Sequence, residues 1–233
     1  MILSKRRMLR RSRGIKLPWH MKSSFITFEG IEGCGKSTQI RLLWDRLAKD
    51  GVDALLTREP GGTRIGERIR AVLLDASHQG MTPVTELMLY AAARHQHVEE
   101  VIEPALKAGR MVLCDRYADA TTAYQGAARR VDPELIKSIH KIATGGLTPD
   151  LTILLDLPAK EGLSRAIARN ARDGTEPGHD RFEREELAFH ERVREGYLAI
   201  ARSEPKRVIV VDALGTKEEL HEKIFALVTK KLK

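Results

Sequence analysis

Gly30-Ile31-Glu32-Gly33-Cys34-Gly35-Lys36-Ser37 satisfies G-x-x-x-x-G-K-[ST] at every position. Upstream, Phe25 to Glu29 reads as a buried strand. Downstream, Lys36 to Asp50 reads as a helix with Ile40, Leu43 and Leu47 on one face and Gly51 closing it. A Gly-rich turn between a strand and a helix N-terminus aims backbone N–H groups and the positive helix end at one place, which suits a polyphosphate. Gly30, Ile31, Glu32, Gly33, Cys34, Gly35, Lys36, Ser37 and Thr38 are therefore the expected nucleoside-triphosphate segment. Lys36 would reach the terminal phosphates, and the Ser37 hydroxyl would ligate Mg²⁺. This motif alone does not separate kinases from GTPases, ATPases or motor domains.

Outward from it, strands alternate with helices. Ala54 to Thr57, Met111 to Asp115, Leu151 to Leu157 and Val208 to Val211 read as strands. Arg64 to Leu74, Pro133 to Ala143, Lys160 to Arg169, Glu183 to Ser203 and Lys217 to Leu232 read as helices, and Thr85 to Leu106 as one long helix or two joined ones. The alternation predicts an α/β fold, a P-loop three-layer sandwich whose five-stranded parallel sheet carries helices on both faces. No repeat or linker divides residues 21–233, which are expected to form one domain. Within it, Arg165, Arg169, Arg172 and Arg181 flank Gly174, Pro177 and Gly178. A charge-rich surface loop is the plain reading of that stretch. Phosphoryl transfer, however, needs excluded water and positive charge over the transferred group, and a short Arg-bearing lid at about residues 165–182 would supply both.

Composition narrows the class. With 42% hydrophobic and 31% charged residues, the 233-residue chain can bury a core and is neither a disordered tail nor a collagen-like rod. Its apolar runs fall well short of the roughly 20 residues needed to cross a bilayer, so no membrane partner is expected. Two cysteines, Cys34 and Cys114, make neither a disulfide framework nor a zinc spacing, and a reducing, cytoplasmic interior fits best. The net charge of +8 is mostly local: residues 1–20 hold seven Lys or Arg and no acid, leaving +1 for the rest. That basic extension reads as a disordered segment, a polyanion-contacting arm, or translation from upstream of a functional start at Met21. It also has the composition of an organelle transit peptide.

Other segments carry chemistry. Thr57-Arg58-Glu59-Pro60-Gly61-Gly62-Thr63 follows a strand and is stiff and Gly-rich. Asp115-Arg116 ends a strand, where ligands gather in a parallel sheet; Asp115 can serve Mg²⁺ or a strand-end cap, and Arg116 can grip a phosphate or lie at the surface. Tyr90 and Arg94 share a helix face and could address one flat ligand or simply pack. No partner placed by the motif makes Cys34 a nucleophile, and His95 with His97 lacks a third zinc ligand.

In their joint order these segments resemble thymidylate kinases of the bacterial type. The resemblance runs from about Ser24 to the C-terminus and rests on the P-loop, Glu59-Pro60-Gly61-Gly62-Thr63, Tyr90-Ala91-Ala92-Ala93-Arg94, Asp115-Arg116-Tyr117, Ala123-Tyr124-Gln125-Gly126, Pro149-Asp150-Leu151 with Leu155-Asp156-Leu157, and Asp180-Arg181-Phe182-Glu183. It implies ATP and dTMP giving ADP and dTDP by direct in-line transfer, with Mg²⁺ carried by ATP. It implies Glu32 at the 3′-hydroxyl side of the deoxyribose, Arg58 and Arg116 on the acceptor phosphate, and Tyr90 stacked on thymine. Arg94 would hydrogen-bond the base with Thr121 and Gln125 nearby, and Tyr124 would disfavour a 2′-hydroxyl. The catalytic charge would fall on Lys36, Arg116, Arg169 and Arg172, and Ser37 and Asp115 would serve the metal. Asp156 matches a family position, although a strand-end cap suits it equally. A homodimer of helices packed face to face is implied, with no nucleic acid required.

Departures qualify the match. Tyr90 stands where Phe is usual, Ala93 where an acid or amide often orients the following Arg, and Ala120 where a hydroxyl is common. The P-loop interior lacks the Arg of one family branch, so positive charge over the transferred phosphoryl would come from the lid, with Arg169 and Arg172 favoured over Arg181, expected to pair with nearby Glu183. A kinase for another or broader set of pyrimidine monophosphates, and a P-loop ATPase acting as a binding or assembly factor, are the alternatives.

Overall fold

The computed structural model describes residues 23–173 and 181–231. The basic extension, Met21, the lid residues Gly174, Pro177, Gly178 and Asp180, and Leu232 lie outside the described residues.

Five strands, β1 (Phe25–Glu29), β2 (Ala54–Arg58), β3 (Met111–Asp115), β4 (Leu151–Asp156) and β5 (Val208–Asp212), form one parallel sheet in the order β2-β3-β1-β4-β5. Parallel strands need crossovers, and helices supply them: α1 (Lys36–Lys49), α2 (Arg64–Leu74), α3 (Pro83–His97), α4 (Glu103–Lys107), α5 (Ala118–Thr121), α6 (Pro133–Thr144), α7 (Ala159–Asp173), α8 (Leu187–Ser203) and α9 (Lys217–Lys231). Both faces are buried, as the unbroken burial of β1 shows. One core joins Ile26, Phe28 and Leu113 to α1, α8 and α9, a second packs Phe25, Val112 and Cys114 against Val98, Ile102 and Ala105, and a third, smaller one holds Leu87, Val131 and Ile136.

Local chemistry starts the helices where expected. Thr63 caps α2 by accepting from Gly66 N at 2.9 Å, and Asp132 caps α6 ahead of Pro133. No side chain caps α1: its N-cap is Gly35 at φ 95°, so the first-turn N–H groups face the crevice beyond β1. β1 is flanked by β3 and β4, to which the chain crosses in opposite directions, and such a switch point is where open parallel sheets take ligands.

Details settle at three places. The stretch Thr85 to Leu106, read as one long helix or two joined ones, is the joined pair: α3 from Pro83 and α4 ending at Lys107, with a π-turn at Val98–Ile102 between them. The helix expected from Glu183 is a short 3₁₀ turn, Arg181–Arg184, followed by α8 from Leu187, because burying Phe182 takes a tighter path and Glu186 is extended. Residues Ala118–Ala128, read as no element, form α5 and a second π-turn. Paired threonines and Gly126 hide that segment's periodicity.

Candidate active site

The P-loop closes on itself through Lys36, whose ammonium donates to Gly30 O at 2.9 Å and Ile31 O at 2.8 Å. Close approach matters at Gly33: its φ is +71°, and a Cβ there would fall 2.0 Å from Gly162 O on α7. The Ser37 hydroxyl donates to Asp115 Oδ2 at 2.6 Å, joining the loop after β1 to the end of β3. A hydroxyl and a carboxylate, both hard oxygen donors on the same crevice, fit Mg²⁺. Among the described residues no group of three or more His, Cys, Asp or Glu gathers, so this pair suits an ion brought with phosphates rather than a protein cage.

One cavity of about 520 Å³ receives most of the residues singled out in the sequence. Glu32, Gly33, Gly35, Lys36, Ser37 and Thr38 line it from the loop, and Asp115 and Arg116 from the end of β3. Arg58, Tyr90, Thr121, Tyr124 and Gln125 line it from the acceptor side of the expected pocket, and Arg165, Arg169 and Arg172 from α7. Gly30, Ile31 and Cys34 are not on its wall; Ile31 and Cys34 are buried beneath the loop. Arg70, Leu74 and Phe182 line it without having been singled out as ligand groups. Arg70 is held by donating to Pro60 O at 3.0 Å, and its sequence signal is weak because an Arg on an amphipathic helix usually faces water.

Arg116 is the hub. Its φ of 71° is costly for a residue with a side chain. Its guanidinium donates to Gly30 O at 3.0 Å, Tyr197 Oη at 3.1 Å and Glu32 Oε1 at 2.9 Å, and lies 5.0 Å from the Tyr124 ring centroid. Tyr124 donates to the same Glu32 oxygen at 2.5 Å, and His190 Nδ1 stands 3.4 Å from Glu32 Oε2. Burial opposes the charge on Glu32, but Arg116, then His190, Lys36 and Tyr124, hold its carboxyl well below the usual range. Tyr197 donates onward to Glu29 Oε2 at 2.8 Å, and burial, reinforced by Asp119, pushes Glu29 up to about 8. Tyr197, His190 and Glu29 were not read from the sequence as site residues; α8 gave only an apolar helix pattern.

Arg94 is placed differently from the expectation of direct access. It is 2% exposed, stands behind the cavity wall, and donates to Glu59 Oε2 at 2.7 Å, Thr121 Oγ1 at 3.0 Å and Tyr117 O at 3.0 Å. Glu59 also meets His97 Nδ1 at 3.1 Å. The orienting acid absent at Ala93 is thus supplied from the loop after β2. Arg58 forms two 2.8 Å bonds to Glu67, and the Tyr90 ring lies tilted by 55° to that of Phe182 with centroids 6.4 Å apart. Arg181 turns inward to Glu86 Oε2 at 2.6 Å and donates to Leu73 O, and the expected pair with Glu183 rests on a side chain outside the described residues. Asp156 takes a two-pronged bond from Arg194 at 2.7 and 2.8 Å, a tie between β4 and α8.

The thymidylate kinase family model matches residues 28–224. The thymidylate kinase of Desulfosudis oleivorans is 54% identical over 202 residues, 87% of this chain and 94% of that protein. That of Trichlorobacter lovleyi is 56% identical over 190 residues, 81% of this chain and 89% of its own length. The crystal structure of thymidylate kinase from Ehrlichia chaffeensis superposes with a TM-score of 0.70 at 31% identity, covering 89% of this chain and 99% of that one.

Proposed function

The chain belongs to the thymidylate kinase family, enzymes that transfer a phosphoryl group from ATP to dTMP, and from that premise we propose how its own residues divide the work. The observation that carries the reading is one shared cavity: it joins an uncapped helix N-terminus and Lys36 to a cationic wall of Arg58, Arg116, Arg169 and Arg172, and to an aromatic, hydroxyl and amide wall of Tyr90, Thr121 and Gln125. A triphosphate on the loop and a monophosphate facing it would lie in line, and positioning with charge stabilisation is most of what phosphoryl transfer needs.

In this reading Lys36 and the loop N–H groups hold the donor, and Arg58 and Arg116 hold the acceptor phosphate. Glu32, fixed as an anion by Arg116, addresses the sugar hydroxyl, and Tyr124 crowds a 2′-hydroxyl. Tyr90 stacks on the base, while Arg94 acts on it from behind through Thr121. Arg169 and Arg172 add charge over the transferred group. Ser37 and Asp115 would hold Mg²⁺, which when bound offsets negative charge on the triphosphate as the phosphoryl group leaves. Residues 21–233 serve as one kinase domain, and the cytoplasm suits its two buried free thiols. No helix among the described residues is long and apolar enough to cross a membrane. Uncovered Ile65 and Val72 on α2 and Val84 and Met88 on α3 support a homodimer.

The test is coupled ADP release with ATP and Mg²⁺, with and without dTMP, dUMP, dCMP and dGMP, followed by product separation. dTMP-dependent ADP release matched one-for-one by dTDP is expected, with no turnover after chelation of the divalent ion. Arg169→Ala or Arg172→Ala should lower kcat at least about tenfold while changing the KM for dTMP less, because the charge is needed only as transfer proceeds. Unchanged kcat in both variants would remove the lid from the catalytic account.

A further inference from the structure

Glu86 lies on α3, is 0% exposed and is not on the cavity wall, yet three side chains, Gln125, Arg129 and Arg181, converge on it. Gln125 Nε2 donates to Oε1 at 2.6 Å, Arg181 Nη2 stands 2.6 Å from Oε2, and Arg129 approaches both oxygens at 3.4 and 3.5 Å. Arg129 is also paired with Glu185 at 2.5 Å. A carboxylate only accepts hydrogen bonds, so the Gln125 amide is held with its nitrogen inward. The atom it can offer the cavity, which Gln125 lines, is then Oε1, an acceptor.

Its neighbour on the wall has the opposite polarity for a similar reason. Thr121 Oγ1 accepts from Arg94, which has donors only, so the Thr121 hydroxyl proton is left to give elsewhere. A donor beside an acceptor matches the C4 carbonyl and N3–H of thymine or uracil. It mismatches the amino group and unprotonated N3 of cytosine.

We propose that Glu86 is a positioning residue that sets the hydrogen-bonding polarity of the acceptor-base wall by fixing the Gln125 amide, and that through Arg181 the same carboxylate ties that wall to the turn Arg181–Arg184 that carries Phe182. The proposal rests on the kinase reading above and adds to it how keto pyrimidines are told from amino pyrimidines. Arg181 opens the turn Arg181–Arg184 and leads into Phe182, whose ring centroid is 5.6 Å from that of Tyr124 and 6.4 Å from that of Tyr90, so one buried anion serves this turn and the base site together.

The test is Glu86→Gln in the full chain, comparing kcat/KM for dTMP, dUMP and dCMP. The two guanidiniums draw the carbonyl oxygen of the new amide and leave its NH₂ toward Gln125, which then turns its own oxygen inward and its NH₂ to the cavity. The dTMP-to-dCMP preference should fall at least about tenfold, whereas the dTMP-to-dUMP ratio, blind to this polarity, should stay within about twofold. A loss shared equally by all three acceptors, or an unchanged dTMP-to-dCMP preference, would overturn the proposal. Should E86Q fail to fold, E86Q with Arg181→Gln leaves no arginine buried against a missing partner, since Arg129 keeps Glu185; with neither orientation of the amide at position 86 imposed, Gln125 is no longer held nitrogen-inward. The same loss of preference is expected, and the same outcomes count against it. A wild-type protein inactive on dTMP would instead reject the kinase reading itself.

Discussion

Glu29 closes β1 without exposure to water, accepting from Tyr117 N at 2.6 Å and from Tyr197, and its carboxyl is raised from 4.5 to about 8, chiefly by burial and then by Asp119. Between those two values the folded protein keeps a proton that the unfolded chain has released, so this group's contribution to stability is full at low pH and is lost as pH rises toward 8. Thermal melts of the wild type should therefore fall between about pH 5 and pH 8 more steeply than those of Glu29→Gln, whose side chain cannot ionise. Parallel profiles would show that Glu29 is not protonated in the fold. Lys36, Ser37 and Asp115 were legible because a short motif and a strand end dictate their places. The Glu29–Tyr197–Arg116–Glu32 chain was not, since Tyr197 meets Glu29 from 168 positions away and nothing local records that meeting.

Among the elements, the decisive contact joins the P-loop to α7. Gly33 and Gly162 let the two backbones touch: a Cβ on Gly162 would lie 2.5 Å from Glu32 O and 2.8 Å from Ile31 Cδ1. Gly162→Ala should push α7 off the loop, costing about 1–3 kcal/mol of stability by overpacking. Because Arg165, Arg169 and Arg172 ride on α7, turnover should fall together with the melting temperature. A variant that melts lower yet keeps full kcat would uncouple α7 from the reaction. Strand and helix identities followed from apolar periodicity, and their bounds moved by a few residues at most places. The π-turns and the break before α8 did not follow, because each answers to packing around Phe182 and the sheet rather than to local preference.

On the scale of the whole molecule, the exposed Met88 and Val84 on α3 and Ile65 and Val72 on α2 bear on assembly. Sedimentation should give a dimer for the wild type, and Met88→Lys should weaken it toward monomer, since a buried ammonium without a partner is costly. A dimer indifferent to that change would place the contact on another face. The sequence by itself determined the α/β class, the five strands, the phosphate loop and the acceptor-kinase resemblance, because each is written in residues close together or in a pattern with a fixed period. Only the tertiary structure decided that Arg94 stands behind the wall under Glu59, that Arg181 serves Glu86, and that α8 supplies Tyr197 and His190 to Arg116 and Glu32. Those partners are chosen by burial: a charge removed from water must find its counterpart wherever the fold brings one, and sequence distance does not enter that choice.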